Sequence, residues 1–223
     1  MHHEFLSLLK ELVLSQADVS RLTSLRRSSS LFVQGDKASA VYFVEDGLIK
    51  LTRTNAAGGR LILSVYGPND LLGEECLSGA ESDYYTEANI LTQSIVHRIP
   101  SATMKRAVAT HPALGDAFVR FLIDRKLGLA HKVELLCLQD VETRIVYYLE
   151  QLAKLVEPQA EDSGHRLPIT QTELADMVGA TRETTSTTLN QLERKGVVKL
   201  ARRLLTVFPQ RARAISASAA ADI

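Results

Sequence analysis

Between residues 4 and 27 the apolar positions Phe5, Leu8, Leu9 and Leu12, and then Val19, Leu22 and Leu25, recur at spacings of three and four. That is the period of an amphipathic helix. Ser15 divides the run, which predicts two short helices, the second starting near Asp18 or Ser20. From Leu31 to Pro100 the pattern changes. Short runs rich in β-branched and aromatic residues (LFVQGD, VYFVEDG, LIKLTR, RLILSVYG, ILTQSIVHRI) alternate with Gly, Asp and Asn. Such spacing predicts a β-sandwich or barrel. The NAAGG between LIKLTR and RLILSVY reads as a hairpin loop.

From Pro112 to Leu138 the three-four spacing returns, at Phe118, Leu122, Arg125, Leu129, Lys132 or Val133, and Leu136. Pro112 suits the first turn of a helix. A helix this long is more often part of a coiled coil or bundle than a lone surface helix. Phe118, Leu122, Arg125, Leu129 and Leu136 therefore predict a dimer seam, interrupted at Arg125. The other reading is that the stripe packs on its own β domain. Asp140 then caps a helix, VETRIVYYLEQLAKLV, with Ile145, Tyr148, Leu149 and Leu152 on one face. PQAEDSGHR reads as a loop, and the tail AISASAAADI is expected to fray.

Thr170 precedes QTELADMV, with Glu173 three residues on, a capping-box pattern. Leu174, Ala175 and Val178 give that short helix a buried side, and Gly179 offers the left-handed position of a tight turn. Thr181 caps a second helix, buried through Thr185 (or Thr184), Thr188, Leu189 and Leu192. Two short helices joined by a Gly turn make a helix-turn-helix. GVVKLARRLLTVF follows as two β-rich runs about Arg202-Arg203, a small wing. The predicted fold class is α+β, with a functional boundary at the Leu138–Asp140 junction.

Composition narrows the function. Hydrophobic residues are 45% and charged ones 23% of 223 residues, a globular balance. No apolar run approaches the ~20 residues of a membrane span, and the N-terminus does not read as a secretory signal. Two Cys, Cys76 and Cys137, make neither a disulfide framework nor a four-Cys zinc site. A cytoplasmic setting and no membrane partner are expected. Net charge is zero, but from Gly164 onward there are nine basic and five acidic residues, against 17 and 21 before it. A basic end on an acidic body points to an anionic partner for that end.

The stretch GATRETTSTTL, Gly179–Leu189, is rich in residues that form helices poorly. A recognition helix explains them. Its N-terminal residues lie at base edges in the DNA major groove, where small hydroxyl side chains permit close approach. Arg182 can fork onto guanine and Glu183 can accept from a cytosine amino group. The plainer reading is a helical hairpin with solvated charges. Motif, wing and basic excess together favour double-stranded DNA.

These residues resemble the cyclic-AMP receptor protein and fumarate/nitrate-reduction regulator family of bacterial transcription factors. LPITQTELADMVGATRETTSTTLNQLERKGVV is similar to the family's DNA-binding signature, with T-R-E-T its most specific part. QGDKASAVYFVEDGLIKL, PNDLLGEECL and LQDVETRIVYYL resemble its β-roll, pre-pocket segment and hinge. The resemblance implies a β-roll effector or sensor domain with N-terminal helices over 1–111. It implies a dimerisation helix and hinge over 112–139 and a winged helix-turn-helix over 140–223. It also implies a homodimer on a two-fold operator and contact with RNA polymerase. Thr170, Gln171, Thr181, Arg182, Glu183, Ser186, Thr187, Arg202 and Arg203 become the DNA-binding set. Thr187 stands where most members place a second Arg, so the operator sequence is not inherited with the resemblance.

The effector pocket implied is Gly73, Glu74, Ser82, Asp83, Arg125 and Leu129. Nucleotide-binding members hold the ribose with Gly-Glu, kept here as Gly73-Glu74, and the cyclic phosphate with Arg-Ser. Here Ser82-Asp83 replaces the Arg-Ser pair, and a carboxylate repels phosphate. Leu129 and Ala130 stand where those members use Thr and Ser against the purine. Cyclic AMP is therefore not expected, no cofactor or metal is predicted, and the effector stays open. Residues 1–75 hold no Cys for an iron-sulfur cluster. Heme or a redox thiol at Cys76 remain alternatives, beside an inert buried Cys. Arg125 has two readings, pocket or seam. Glu74-Glu75 has two as well, a ligand contact or a turn carboxylate.

An enzyme is not expected, because no phosphate loop, H-E-x-x-H or G-x-S-x-G occurs. The favoured function is a homodimeric, sequence-specific transcription regulator switched by an effector or signal in the β-roll. The alternative is a ligand-binding regulatory module whose helix-turn-helix is vestigial.

Overall fold

The protein is described from a computed structural model, which covers residues 3–79, 81–158, 164–201 and 204–212. The wing-turn residues Arg202 and Arg203 and the tail from 213 onward lie outside the described residues. The chain divides into two compact units. The first is Met1–Thr54 with Val65–Lys132; the second is Asn55–Ser64 with Val133–Ile223.

The first unit begins with α1 (His3–Leu12), followed by β1 (Ser20–Leu25), β2 (Ser30–Phe32), β3 (Ala40–Asp46), β4 (Ile49–Thr54) and β5 (Arg60–Tyr66). β6 (Leu71–Leu72), a 3-10 helix over Glu74–Leu77, β7 (Glu87–Ile90) and β8 (Ser94–Pro100) come next, then α2 (Ser101–Thr110) and α3 (Pro112–Leu138). Two four-stranded antiparallel sheets form, in the orders β1-β8-β3-β6 and β2-β7-β4-β5. The strand-rich middle and the long helix match the sequence expectation. The second N-terminal helix does not form. Ser20–Leu25 is instead an edge strand paired to β8, with Leu22 opposite Val96. At six residues the spacing of Leu22 and Leu25 fits either period, and the unpaired edge of β8 decides between them.

β3 shows why these sheets form. Successive side chains of a strand point to opposite faces. Tyr42 and Val44 enter a core with Phe32, Ile49, Leu72, Ala88 and Ile90, drawn from both sheets. Val41 and Phe43 enter a second core with Phe5, Leu9, Met104, Leu114, Phe118 and Phe121, drawn from the helices. AVYFV is apolar at every position because both faces are covered. Gly47 turns β3 into β4 with φ of 88°. A Cβ there would sit 2.2 Å from the Ser94 Oγ, so only glycine fits.

The rotation of α3 differs from the predicted seam. Leu114, Ala117, Phe118 and Phe121 are buried against the first unit's own core, and Phe5 stacks on Phe121 at 4.7 Å. Phe118 is 7% exposed, so it does not lie on a free seam. Arg125 is removed from the seam too, because its guanidinium points into the same unit. The large apolar residues left outside are Val119 (54% exposed), Ile123, Leu127, Leu129, Val133 and Leu138. The reading in which the stripe packs on its own β domain thus holds for one face of the helix, and the opposite face stays exposed.

The second unit contains α4 (Val141–Ala153), β9 (His165–Leu167), α5 (Gln171–Val178), α6 (Arg182–Arg194), β10 (Val198–Ala201) and β11 (Leu204–Val207). Its sheet runs β10-β11-β9, so the wing gains a third strand within the segment read as a loop. Asp140 caps α4 by accepting the Thr143 amide at 2.8 Å. Ile145, Leu149, Leu174, Val178, Leu189 and Leu192 are buried.

A buried hydroxyl on α6 is unsatisfied. Thr185 is fully buried, and its hydroxyl has no hydrogen-bond partner. Thr185→Val keeps the shape and removes an orphaned polar group that costs about 1 kcal/mol. The melting temperature should hold or rise by a few degrees in a thermal melt. A fall of more than about 3 °C would contradict this account of the core.

Candidate nucleic-acid interface and sensor pocket

The helix-turn-helix is built from local hydrogen bonds. Thr170 and Glu173 form a complete capping box on α5: the Thr170 hydroxyl accepts the Glu173 amide at 3.1 Å, and Glu173 accepts the Thr170 amide at 2.8 Å. Gly179 ends α5 with φ of 64°, the left-handed cap glycine adopts cheaply. The Thr181 hydroxyl caps α6 by accepting the Thr184 amide at 3.1 Å. Two further bonds fix α6 on its unit. The Glu193 carboxylate accepts the Leu200 amide of β10 at 2.6 Å, and the Lys195 ammonium donates to Glu142.

These bonds sort the hydroxyl-rich stretch. Thr181 and Thr184 serve the cap, Thr185 and Thr188 are buried, and Thr188 donates to the Thr184 carbonyl at 2.9 Å. Only Ser186 and Thr187 remain for a partner. The other hydroxyls hold the helix. Thr170 likewise spends its hydroxyl on its own cap. Gln171 begins α5 beside it.

The outward face of α6 carries Arg182, Glu183, Thr187, Asn190 and Arg194, all exposed, with Ser186 partly so. Among the described residues, the side chains of Arg182, Ser186, Thr187, Asn190 and Arg194 make no hydrogen bond. Hydrogen bonds from its own amide and the Thr181 hydroxyl hold the Glu183 carboxyl below the usual carboxylate range. It is an ionised acceptor at neutral pH. Asn190 and Arg194 were not among the predicted contacts. Their signal was their place seven and eleven residues after Glu183, on the same helix face.

In the first unit the structure joins three of the predicted pocket residues. Gly73 precedes the 3-10 helix with φ of 83°. Arg125 of α3 donates to the Leu71 carbonyl at 2.5 Å and to Glu74 Oε1 at 2.8 Å. Its guanidinium lies 4.3 Å over Tyr66 and 5.1 Å over Phe121. Glu74 therefore carries an ion pair and not the backbone amides of a local turn. Glu75, half-buried beside it, has its carboxyl raised by burial. Both sit in the 3-10 helix, not on a strand.

Ser82 and Asp83 are placed otherwise. The Ser82 hydroxyl donates to the Glu75 carbonyl at 2.8 Å, and Asp83 forms a lone antiparallel bridge with Lys37. Tyr84 follows them into the sandwich, stacks on Phe32 at 3.8 Å and donates to the Ala40 carbonyl at 2.7 Å. Leu129 is 50% exposed. Cys76 is 2% exposed, and burial pushes its thiol up to about 11, so it stays protonated. Cys137 is exposed. Among the described residues no three His, Cys, Asp or Glu side chains cluster as metal ligands, and no helix is long and apolar enough to cross a membrane.

Known proteins share this arrangement. The profile of the Crp-like helix-turn-helix domain matches residues 143–212, and that of the cyclic nucleotide-binding domain matches residues 22–111. The global nitrogen regulator of Synechocystis sp. is 28% identical over 184 residues, 81% of each chain. The cAMP-activated global transcriptional regulator CRP of Salmonella typhimurium is 26% identical over 185 residues, covering 82% of this chain and 87% of that one. The solved structure of FixK2 from Bradyrhizobium japonicum shares the fold with a TM-score of 0.75 at 18% identity, covering 87% of this chain and 96% of that one. Both units, in this order and with these motifs, make the chain a member of the cyclic-AMP receptor protein/fumarate-nitrate reduction regulator family, a DNA-binding transcription regulator.

Proposed function

We propose that the chain acts as a homodimer on a two-fold operator, passes its signal to RNA polymerase in the cytoplasm and performs no catalysis. The carrying observation is the outward row of uncommitted polar groups on α6. The capping hydroxyls of that helix are satisfied and Thr185 and Thr188 are buried, whereas Arg182, Thr187 and Asn190 are exposed and make no side-chain hydrogen bond among the described residues. A vestigial helix-turn-helix leaves that row without a use. The exposed apolar residues of α3 support the dimer, with the seam drawn through Val119, Ile123 and Val133.

The signal that reaches the β-roll is not cyclic AMP in this reading. Ser82 is spent on a backbone carbonyl, Asp83 brings a negative charge, and Glu74 already has Arg125 as its counter-ion. Relatives share the frame while their effectors differ: one is cAMP-activated by name and another, from Xanthomonas campestris, is c-di-GMP responsive. Effector identity therefore does not travel with the fold. The buried, protonated Cys76 is a packing residue in this proposal, and no heme or metal is assigned.

Selection from random duplexes at one salt concentration tests the DNA reading. The parent should enrich a two-fold motif with half-sites about one helical turn, ~34 Å, apart. Arg182→Ala should lose preference at one base pair per half-site, worth about 1–3 kcal/mol. A parent that enriches no such motif defeats the proposal. Ile123→Lys should halve the mass in light scattering, and an unchanged dimer mass would remove the α3 seam. Titration calorimetry with cyclic AMP should give no binding heat, and micromolar binding would overturn the effector argument.

A further inference from the structure

The exposed side chains of α6 are not spread evenly. At about 100° per residue, Thr187, Asn190 and Arg194 fall within about 40° of Glu183 around the helix axis. Arg182 and Gln191 flank this stripe on either side. Glu183, Ser186, Thr187 and Asn190 stand at i, i+3, i+4 and i+7. That is the spacing by which a helix lying in the major groove presents four side chains to base edges. Ser186 and Thr187, the middle pair, are short. They hold the helix no further from the groove floor than their own small side chains require, so a medium-length residue one turn on can still reach a base.

Asn190 is that residue. It is exposed and makes no hydrogen bond among the described residues. Glu193, by contrast, is tied to the Leu200 amide and Lys195 to Glu142. A carboxamide carries a donor and an acceptor side by side, which matches the N6 and N7 edge of adenine and no other base as well. A charged residue in the same place would be satisfied by any phosphate. Asn gains little from a phosphate and much from a base edge. Arg194, a further turn on, has the length and charge for the backbone instead.

We propose that Asn190 is a specificity-determining residue that reads an adenine in the major groove. Its base differs from the one read by Glu183, because seven residues advance ~10.5 Å along a helix that crosses the groove at an angle. This rests on the DNA-binding reading above and deepens it. Thr187, short and uncharged, leaves the second turn without a long donor, so Asn190 on the third turn is the next side chain of the stripe able to form a two-point contact with a base edge.

Asn190→Ala, Glu183→Ala and the parent chain, each taken through selection from random duplexes and a salt titration, test it. The parent should enrich adenine at one position per half-site. Asn190→Ala should lose that preference alone, bind the parent's best site about tenfold more weakly, and keep the parent's salt slope and melting temperature. Glu183→Ala should change a different position and keep the adenine. An Asn190→Ala profile identical to the parent's overturns the proposal. So does a loss shared by all sequences with a shallower salt slope, which marks a phosphate contact. If Asn190→Ala and Glu183→Ala both leave selection unchanged, the recognition-helix reading fails along with it.

Discussion

The rotational setting of α3 decides most of what the first unit can do. Leu114, Ala117, Phe118 and Phe121 must be buried, and the aromatic stack with Phe5 holds them there. Burying side chains of this size stabilises by about 1.5–3 kcal/mol each, so the helix cannot turn to offer that face elsewhere. Two consequences follow from the helical period. Arg125, one turn beyond Phe121, is delivered to Glu74 and the Leu71 carbonyl. Val119 and Ile123, on the opposite side, are delivered to the outside. A single packing decision thus separates the inward-pointing Arg125 from the exposed apolar face of the helix.

In the second unit the governing constraint is hydrogen bonding at helix ends. Every α-helix begins with amides that have no partner inside it. α5 and α6 both begin with threonines that satisfy such amides, at Thr170 and Thr181. A hydroxyl that caps a helix is not available to a ligand. The abundance of Thr around the turn is therefore mostly structural, and fewer groups are left over for a partner than the sequence suggests. The same accounting applies to charge: Glu193 and Lys195 are consumed in holding α6 to β10 and α4, while Arg182, Asn190 and Arg194 are left.

Much of this was legible in the sequence, because local rules and global fold agree over most of the chain. The caps at Asp140, Thr170 and Thr181, the Gly179 turn and the limits of α3 follow from residue type and spacing alone. The failures share a cause. Ser20–Leu25 reads equally as helix or strand over six residues, and only the free edge of β8, 70 residues later, selects the strand. β9 is three residues long and exists because β11 pairs with it. The seam stripe mixes buried Phe118 with exposed Leu129 because α3 is apolar on two sides, and periodicity cannot say which side meets the chain's own core. The T-R-E-T run marks only the first turn of a helix that continues to Arg194, so Asn190 carries no motif signal of its own.

The pocket follows from the same placement of α3. A largely buried guanidinium is costly unless its hydrogen bonds and charge are met. Arg125 meets most of that requirement from within its own unit, through a carbonyl, a carboxylate and two aromatic faces. One of its terminal nitrogens, Nη2, is buried without a hydrogen-bond partner. Any molecule entering beside Glu74 has to do one of two things. It can supply an acceptor to that nitrogen and leave the ion pair intact, or it can displace Glu74 and replace its negative charge. A cyclic phosphate attempting the second would bring its own negative charge against the Glu74 carboxylate that it has to displace. A ligand that takes the first route needs only an acceptor for that nitrogen, whereas one that takes the second must replace the counter-ion that Arg125 already holds in Glu74.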